Sequence, residues 1–172
     1  MPEKISDQHP IRRMFGEMVH RAFHDRLELR GDEDVERYVS NLLVEFLHDD
    51  QIYAIRNAYG KRVTDLGEML LEGDVRYNAP SFEREREVHK HVGDFLLFWA
   101  GLFPESVPKS AMTLNGEPLL PPIAQGRTSY GIVSEFRHEP FGRESSFYDK
   151  MSRRFEAYVV GLRYVRQEIG VF

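Results

Sequence analysis

Apolar residues recur at three- and four-residue spacing along most of this chain, which places them on one face of an α-helix. The first such stretch begins near Pro10 and ends near Gly31, and a second has a broad apolar stripe from Val35 to Leu47. Proline suits a first helical turn, and the acidic cluster Asp32–Asp34 suits a helix N-terminus because it complements the helix dipole. No segment has a convincing strand pattern. The periodicity therefore predicts an all-α fold.

The segment Phe82–Phe103 is predicted to be the central helix. Ser81 is a good N-cap for it. Its first half carries the charged run Glu83–Glu87, whereas its second half, Phe95–Phe103, is apolar nearly all round. A helix that is apolar on every face is buried on all sides. We therefore expect Phe95–Phe103 to form the core, flanked by the final helix and the helix Val35–His48.

Proline marks a long connection after this helix, because five of the nine prolines lie within residues 104–122. Asn115-Gly116 is a turn signal that could form a hairpin, but Pro118 argues against a paired strand after it. A helix is predicted from Pro122, although Gly126 and Gly131 weaken it by about 1 kcal/mol each relative to alanine.

The final helix, from Glu144 to Ile169, has an apolar seam with spacings of four and three. Its members are Met151, Phe155, Tyr158, Leu162, Val165 and Ile169. Three heptads are few for a free coiled coil, so packing inside a bundle is favoured. Together these elements predict a single domain over residues 1–172, an irregular bundle of five to seven helices. At 172 residues, such a chain can bury roughly 70% of its surface.

The net charge and the apolar content limit which classes of partner and which cellular location we expect. With 23 basic and 28 acidic residues the net charge is −5, which disfavours a nucleic-acid partner. The run Phe95–Phe103 is too short for a membrane span, which needs about 20 apolar residues. Met1–Pro10 lacks the apolar core of a signal peptide. We expect a cytoplasmic protein with neither a nucleic-acid nor a membrane partner.

The absence of several residue patterns excludes named classes of site. There is no cysteine, which excludes disulfides, thiolate zinc sites, iron–sulfur clusters and cysteine nucleophiles. The chain also lacks a glycine-rich phosphate loop, a Gly-x-Ser-x-Gly elbow, a His-Glu-x-x-His zinc motif and the paired Glu-x-x-His motif of di-iron bundles. We assign no catalytic residue and no cofactor from the sequence.

The strongest candidate site is formed by Glu87, His91 and Asp94 on the predicted central helix. Spacings of four and three stack these side chains on one flank, and Asp94 lies where the helix becomes apolar on all faces. They could bind a metal ion or form an acid–base pair. The favoured alternative is surface ion pairing, with Asp94 satisfied by an arginine of a neighbouring helix. Glu85 and His89 form another four-spaced pair on the opposite border.

Two weaker candidates remain. His20 and His24 could share a metal ion, with Glu17 beside them. Their face points away from the core, so a solvated face is favoured, and a metal between subunits would be the exception. The 12 Phe, the 8 Tyr and the single Trp99 could line a haem or flavin pocket, although core packing explains them more simply.

Two segments carry a resemblance to known proteins: Phe82–Val107, FEREREVHKHVGDFLLFWAGLFPESV, and Arg127–Phe136, RTSYGIVSEF. They resemble a group of bacterial proteins of similar length, and the similarity covers Pro10–Leu47, Glu72–Val107 and the final helix. Its most distinctive pieces are Glu83–Glu87, Gly93-Asp94-Phe95 and Gly101–Pro104. That group has no established activity. The resemblance therefore implies a bacterial helical domain and transfers no catalytic residue.

Two classes of function follow, and a third stays open. The leading hypothesis is a non-enzymatic binding or interaction module that self-associates as a homodimer, because standard catalytic motifs are absent and the final helix has a strong seam. The rival is a metal-assisted hydrolase or small-ligand enzyme that uses Glu87, His91 and Asp94. The third is a haem- or flavin-binding helical protein.

Overall fold

The computed structural model describes residues 5–107, 113–114 and 117–170, and the predicted all-α bundle is confirmed in this part of the chain. Its α-helices are α1 (Pro10–His20), α2 (Glu33–Glu45), α3 (Asp49–Ile52), α4 (Leu66–Glu72), α5 (Phe82–Leu102), α6 (Pro122–Ser134), α7 (Ser145–Arg153) and α8 (Phe155–Ile169). A π-helical turn, Arg21–Arg26, follows α1 directly. Short 3-10 turns lie at Pro104–Ser106 and Phe141–Glu144.

The described residues thus contain eight α-helices where five to seven were expected. The difference arises partly because the predicted final helix is divided at Arg154, whose φ of −107° and ψ of 15° depart from helical values. Backbone hydrogen bonds continue on both sides, from Arg154 to Lys150 and from Tyr158 to Arg154. The division is therefore a kink, and the apolar seam runs through it.

The helix α5 begins as its sequence predicts, but Phe95–Phe103 is not buried on all sides as expected, because Phe95, Trp99 and Phe103 are half-buried. Ser81 accepts a hydrogen bond from the backbone N–H of Arg84 at 3.2 Å, which caps the helix. The helix packs against α2, α4, α6 and α8. Its buried apolar residues are Val88, Val92, Leu96, Leu97, Phe98, Ala100 and Leu102. Phe95 and Trp99 are half-buried because they border a pocket. None of the described helices has both the length and the apolar character needed to cross a membrane.

The acidic cluster lies at the start of α2 as predicted, with Asp32 at the N-cap position and Glu33 and Asp34 in the first turn. Asp32 makes no side-chain capping bond to α2. Its carboxylate is buried and accepts hydrogen bonds from the Tyr158 hydroxyl at 2.9 Å and from Arg154 at 3.1 Å. Asp32 therefore ties the start of α2 to α8.

Two glycines inside α6 do not interrupt it, and close packing explains one of them. A Cβ atom at Gly126 would overlap the ring of Phe155 on α8. A side chain at this position would therefore push the two helices apart, and glycine's helical cost is offset by the close approach it permits. A contact between two helices cannot be recognised from the local sequence of either one. The glycines therefore counted against α6 in the sequence-based prediction.

The expectation about Pro118 was wrong, because a short hairpin forms. Strands β1 (Thr113–Leu114) and β2 (Glu117–Pro118) pair antiparallel, with Thr113 opposite Pro118 and Leu114 opposite Glu117. Both strands of a two-stranded ribbon are edge strands, and proline is tolerated there because its missing N–H need not face a partner. Asn115 and Gly116, for which the sequence predicts a turn, lie outside the described residues.

Candidate functional site

Asp94 of α5 is buried, with 5% of its surface exposed, and three side chains bind its carboxylate. The hydroxyls of Tyr38 and Tyr130 donate hydrogen bonds to Oδ1, at 2.6 Å and 2.5 Å. The ammonium group of Lys90 lies 3.1 Å from Oδ2. The sequence led us to expect an arginine from a neighbouring helix as the partner of Asp94. Instead, two phenols and a lysine of α5 itself satisfy this carboxylate.

Three helices bring these groups together. Lys90 lies one turn before Asp94 on α5, so the pair shares a helix face. Tyr38 comes from α2 and Tyr130 from α6. Next to Asp94, Gly93 leaves the space that the Tyr130 ring fills, since a Cβ atom there would lie 2.5 Å from a ring carbon. The Gly-Asp pair is thus one packing unit: the glycine admits the ring, and the aspartate binds its hydroxyl.

The electrostatics keep every donor in this cluster protonated. Burial, and then the charge of Asp94, raises the pKa of Tyr38 and of Tyr130 well above the usual tyrosine value. Burial also raises the pKa of Tyr148, whose hydroxyl lies 3.4 Å from that of Tyr38, to about 12. The negative charge of Asp94 raises the pKa of Lys90. Near neutral pH these groups therefore hold their protons.

A small polar pocket lies beside the cluster. Its volume is about 150 Å³, and its lining residues are Tyr38, Asn41, Leu42, Glu45, Lys90 and Asp94. Small-molecule sites usually have about 300–1,000 Å³, so this pocket is too small for a typical organic ligand. It has room for a few water molecules around the partly exposed Lys90.

The other two residues of the predicted metal set have partners elsewhere. Glu87 is exposed and forms an ion pair with Arg84 at 3.2 Å. His91 donates from Nε2 to the backbone carbonyl of Ile52 at 2.8 Å, and burial lowers its pKa. Glu87, His91 and Asp94 therefore have three separate sets of partners. A metal ion bound by these three residues stays a prediction.

His89 belongs to a buried hydrogen-bond network that the sequence did not predict. The sequence paired His89 with Glu85 instead. The hydroxyl of Ser129 lies 3.0 Å from Nδ1 of His89, and Gln125 donates to the same hydroxyl oxygen at 3.0 Å. Because Ser129 accepts from Gln125, its own proton is available to a neutral His89. Burial lowers the pKa of His89 to about 4, so the ring is neutral near pH 7. The four-residue spacing of Gln125 and Ser129 on α6 was the one local signal for this chain of bonds.

The two histidines at the end of α1 lie together, as the spacing predicts. The rings of His20 and His24 stack with centroids 4.7 Å apart and planes 18° apart. Their carboxylate neighbours are not the predicted Glu17. His20 Nδ1 lies 2.7 Å from Glu36 of α2, and His24 Nδ1 lies 3.0 Å from Asp25.

An apolar pocket lies against α5 and is lined partly by aromatic residues. It has about 310 Å³, and its lining includes Tyr53, Phe95, Leu96, Trp99, Val107 and Pro122. This volume is at the lower end of the range of ligand sites. A haem or flavin cofactor stays a prediction, which the visible absorbance of freshly purified protein tests.

The segment 75–83 and the turn at Tyr59 expose aromatic residues that the sequence does not single out. Tyr59, Tyr77 and Phe82 are 92%, 58% and 67% exposed, and Val75 is 39% exposed. Apart from Ala79, every residue from 75 to 83 is exposed. The Arg84 guanidinium donates to the backbone carbonyl of Arg56 at 2.9 Å, which ties the turn that carries Tyr59 to the start of α5. We call Tyr59, Val75, Tyr77 and Phe82 the aromatic surface.

Comparisons of the chain with protein-family models, with curated proteins and with solved structures found no significant match. The resemblance carried by Phe82–Val107 and Arg127–Phe136 accordingly stays a prediction.

Proposed function

We propose that this chain is a non-enzymatic interaction module that self-associates as a homodimer through the aromatic surface. The observation that carries the proposal is the exposure of Tyr59, Tyr77 and Phe82, on a turn and a helix start that the Arg84–Arg56 hydrogen bond joins. Aromatic residues are enriched at protein–protein interfaces, where they supply much of the binding energy. Grouped exposed apolar side chains are typical of an interaction site, whereas isolated ones need no explanation.

The seam on the final helix does not support self-association, although it motivated that hypothesis. Met151, Phe155, Tyr158, Leu162 and Val165 are buried within the chain's own core. A dimer built on this seam would require the bundle to open. The aromatic surface is exposed without any rearrangement, so we place the dimer interface there and not on the seam.

Charges around the aromatic surface suit contact with a second copy of the same chain. The exposed basic residues are Arg56 and Lys61, on the loop before α4, and Arg76, on the loop after it. The exposed acidic residues Glu83 and Glu87 lie on the first turns of α5. A twofold interface brings one patch against itself, so it needs both signs of charge within the patch. A strongly acidic or basic partner would favour one sign alone.

The titratable clusters of the described residues support binding over catalysis. Lys90, Tyr38 and Tyr130 are held protonated around Asp94, while His89 and His91 are held neutral by burial. A general acid or base works best with a pKa near the working pH. We extend the proposal to a bacterial cytoplasmic location, which rests on the sequence expectations above.

The proposal is tested by removing the aromatic side chains and measuring the mass in solution. The double variant Tyr59→Ser/Phe82→Ser should convert a dimer to a monomer and keep the helical circular dichroism. Met14→Ser is the control, because Met14 is also an exposed apolar residue (41%) and lies on α1, outside the aromatic surface. A wild-type chain that is monomeric at high concentration, or a double variant that stays dimeric, would contradict the proposal.

A further inference from the structure

A group of metal-binding side chains lies where α1 passes into the π-helical turn. One ligand atom from each of His20, His24 and Asp25 lies within 4.8 Å of the other two. The three side chains are 51%, 28% and 57% exposed, so an ion can reach them from solvent. Among the residues that the structure describes, no other group of three potential ligands is this compact.

The π-helical turn is what brings Asp25 to this group. In a regular α-helix, a residue five positions on points about 140° away. The turn Arg21–Arg26 is wider, and the backbone N–H of Leu27 bonds to the carbonyl of Ala22, five residues earlier, at 3.1 Å. Both His24 and Asp25 therefore lie over His20. Single π turns inside helices occur frequently at functional sites.

Carboxylates hold both imidazole rings at Nδ1. Glu36 lies 2.7 Å from Nδ1 of His20, and Asp25 lies 3.0 Å from Nδ1 of His24. At His20 the contact with Glu36 sets the tautomer in which Nδ1 carries the proton and Nε2 is free to bind a metal. Histidines that ligate metals usually donate their other ring N–H to a carboxylate or carbonyl in this way.

The carboxylate of Glu36 is buried beside these histidines and is only partly paired. Glu36 is 8% exposed, and its Oε2 atom has no hydrogen-bond partner among the described residues. A buried carboxylate without full pairing is costly. Asp25 and Glu33 add further negative charge around His20. A cation bound at this point would offset the charge of all three carboxylates.

We propose that His20, His24 and Asp25 form a binding site for a divalent transition-metal ion of the zinc type, with Glu36 as a positioning residue behind His20. The ligands are one ring nitrogen of each histidine and one carboxylate oxygen of Asp25. Two imidazoles and one carboxylate suit Zn²⁺ better than Mg²⁺ or Ca²⁺, which prefer oxygen ligands alone. Three protein ligands leave a fourth position for water, as in open zinc sites.

The site needs only a small closure. Zinc–ligand bonds of about 2.0–2.2 Å hold tetrahedral ligands about 3.3 Å apart. The candidate atoms lie within 4.8 Å of one another, and the exposed Asp25 is free to change rotamer. His20 has less freedom because Glu36 holds it, so we expect the Asp25 and His24 side chains to move towards His20.

The experiment is calorimetric titration of ZnCl₂ into the untagged full-length chain after treatment with a chelator. We expect one Zn²⁺ per chain and a rise in melting temperature, because a ligand that binds the folded state stabilises it. His24→Ala should weaken binding at least about 100-fold, and Glu36→Gln, which keeps an oxygen for His20, about 10–100-fold. His138→Ala is the matched control, an exposed histidine outside the group, and should bind like the wild type. MgCl₂ should not bind at the same concentrations.

Two outcomes would overturn this proposal. One is the absence of Zn²⁺ binding by a wild-type chain that is folded by circular dichroism. The other is unchanged affinity in His24→Ala together with a loss in Glu87→Gln, which would assign the metal to the cluster on α5 instead. The mass in solution should also be measured with and without Zn²⁺. This comparison shows whether metal binding and dimer formation are independent of each other.

Discussion

Tyr130 of α6 donates a 2.5 Å hydrogen bond to Oδ1 of Asp94 on α5, across 36 residues of sequence. Tyr38 of α2 donates to the same oxygen at 2.6 Å. One buried carboxylate thus ties three helices together. Charge-assisted hydrogen bonds of this kind are stronger than neutral ones, so Asp94 fixes how the helices pack.

Replacing Asp94 should therefore destabilise the fold. Asp94→Asn removes the charge that compensates Lys90, and breaking a buried ion pair costs roughly 3–5 kcal/mol. Because the Lys90 side chain is 39% exposed and solvent screens its charge, we expect a smaller loss, about 2–3 kcal/mol, measured by urea unfolding.

The double variant Lys90→Met/Asp94→Asn is the control for that prediction. It removes both charges, so it should recover part of the loss, and the double-mutant cycle gives the coupling between the two groups. Losses that simply add would show that Lys90 and Asp94 do not interact.

His89 should make stability depend on pH. Its pKa is lowered from 6.5 to about 4 in the folded state, so the unfolded chain binds the proton more readily. Stability due to this group is thus constant above about pH 6.5 and falls as the pH drops towards 4. Between pH 7 and pH 5 the loss should be about 2 kcal/mol.

The variant His89→Asn removes this titration while keeping an acceptor for Ser129. Its urea-unfolding free energy should change less between pH 7 and pH 5 than that of the wild type. Burial also lowers the pKa of His91. The contribution of His91 to the pH dependence of the unfolding free energy is therefore the same in variant and wild type. Equal slopes for variant and wild type would show that His89 is not held neutral.

Two glycine-to-alanine variants should have opposite effects. Gly93→Ala places a Cβ atom 2.5 Å from the Tyr130 ring, and overpacking of this kind costs about 1–3 kcal/mol. Gly16→Ala lies inside α1 with nothing within 4 Å of the new Cβ, so it should stabilise by about 0.5–1 kcal/mol. Thermal unfolding measures both changes. A neutral Gly93→Ala would mean that Tyr130 has room to leave Asp94.

Local pattern was sufficient to predict the helices and to single out Asp94. Apolar periodicity marked the main helices, Ser81 marked the start of α5, and the change from charged to apolar residues drew attention to Asp94. All of these signals lie within a few turns of one helix. They therefore require no knowledge of how the helices are arranged.

The partners of Asp94 could not be predicted in the same way. Tyr38 and Tyr130 come from other helices, 56 and 36 residues away, and periodicity does not say which faces of two helices meet. Gly126 looked unfavourable for a helix because its benefit lies in contact with Phe155 on α8. The π turn that aligns Asp25 with His20 likewise has no simple sequence signal.

Sedimentation equilibrium of the wild-type chain tests the proposed self-association most directly. The chain mass is 20.2 kDa, and a homodimer would double it. We expect the mass to rise towards that of the dimer between about 1 and 100 μM, and to stay at that of the monomer in Tyr59→Ser/Phe82→Ser. A wild-type mass that stays at 20.2 kDa over this range would contradict self-association through the aromatic surface.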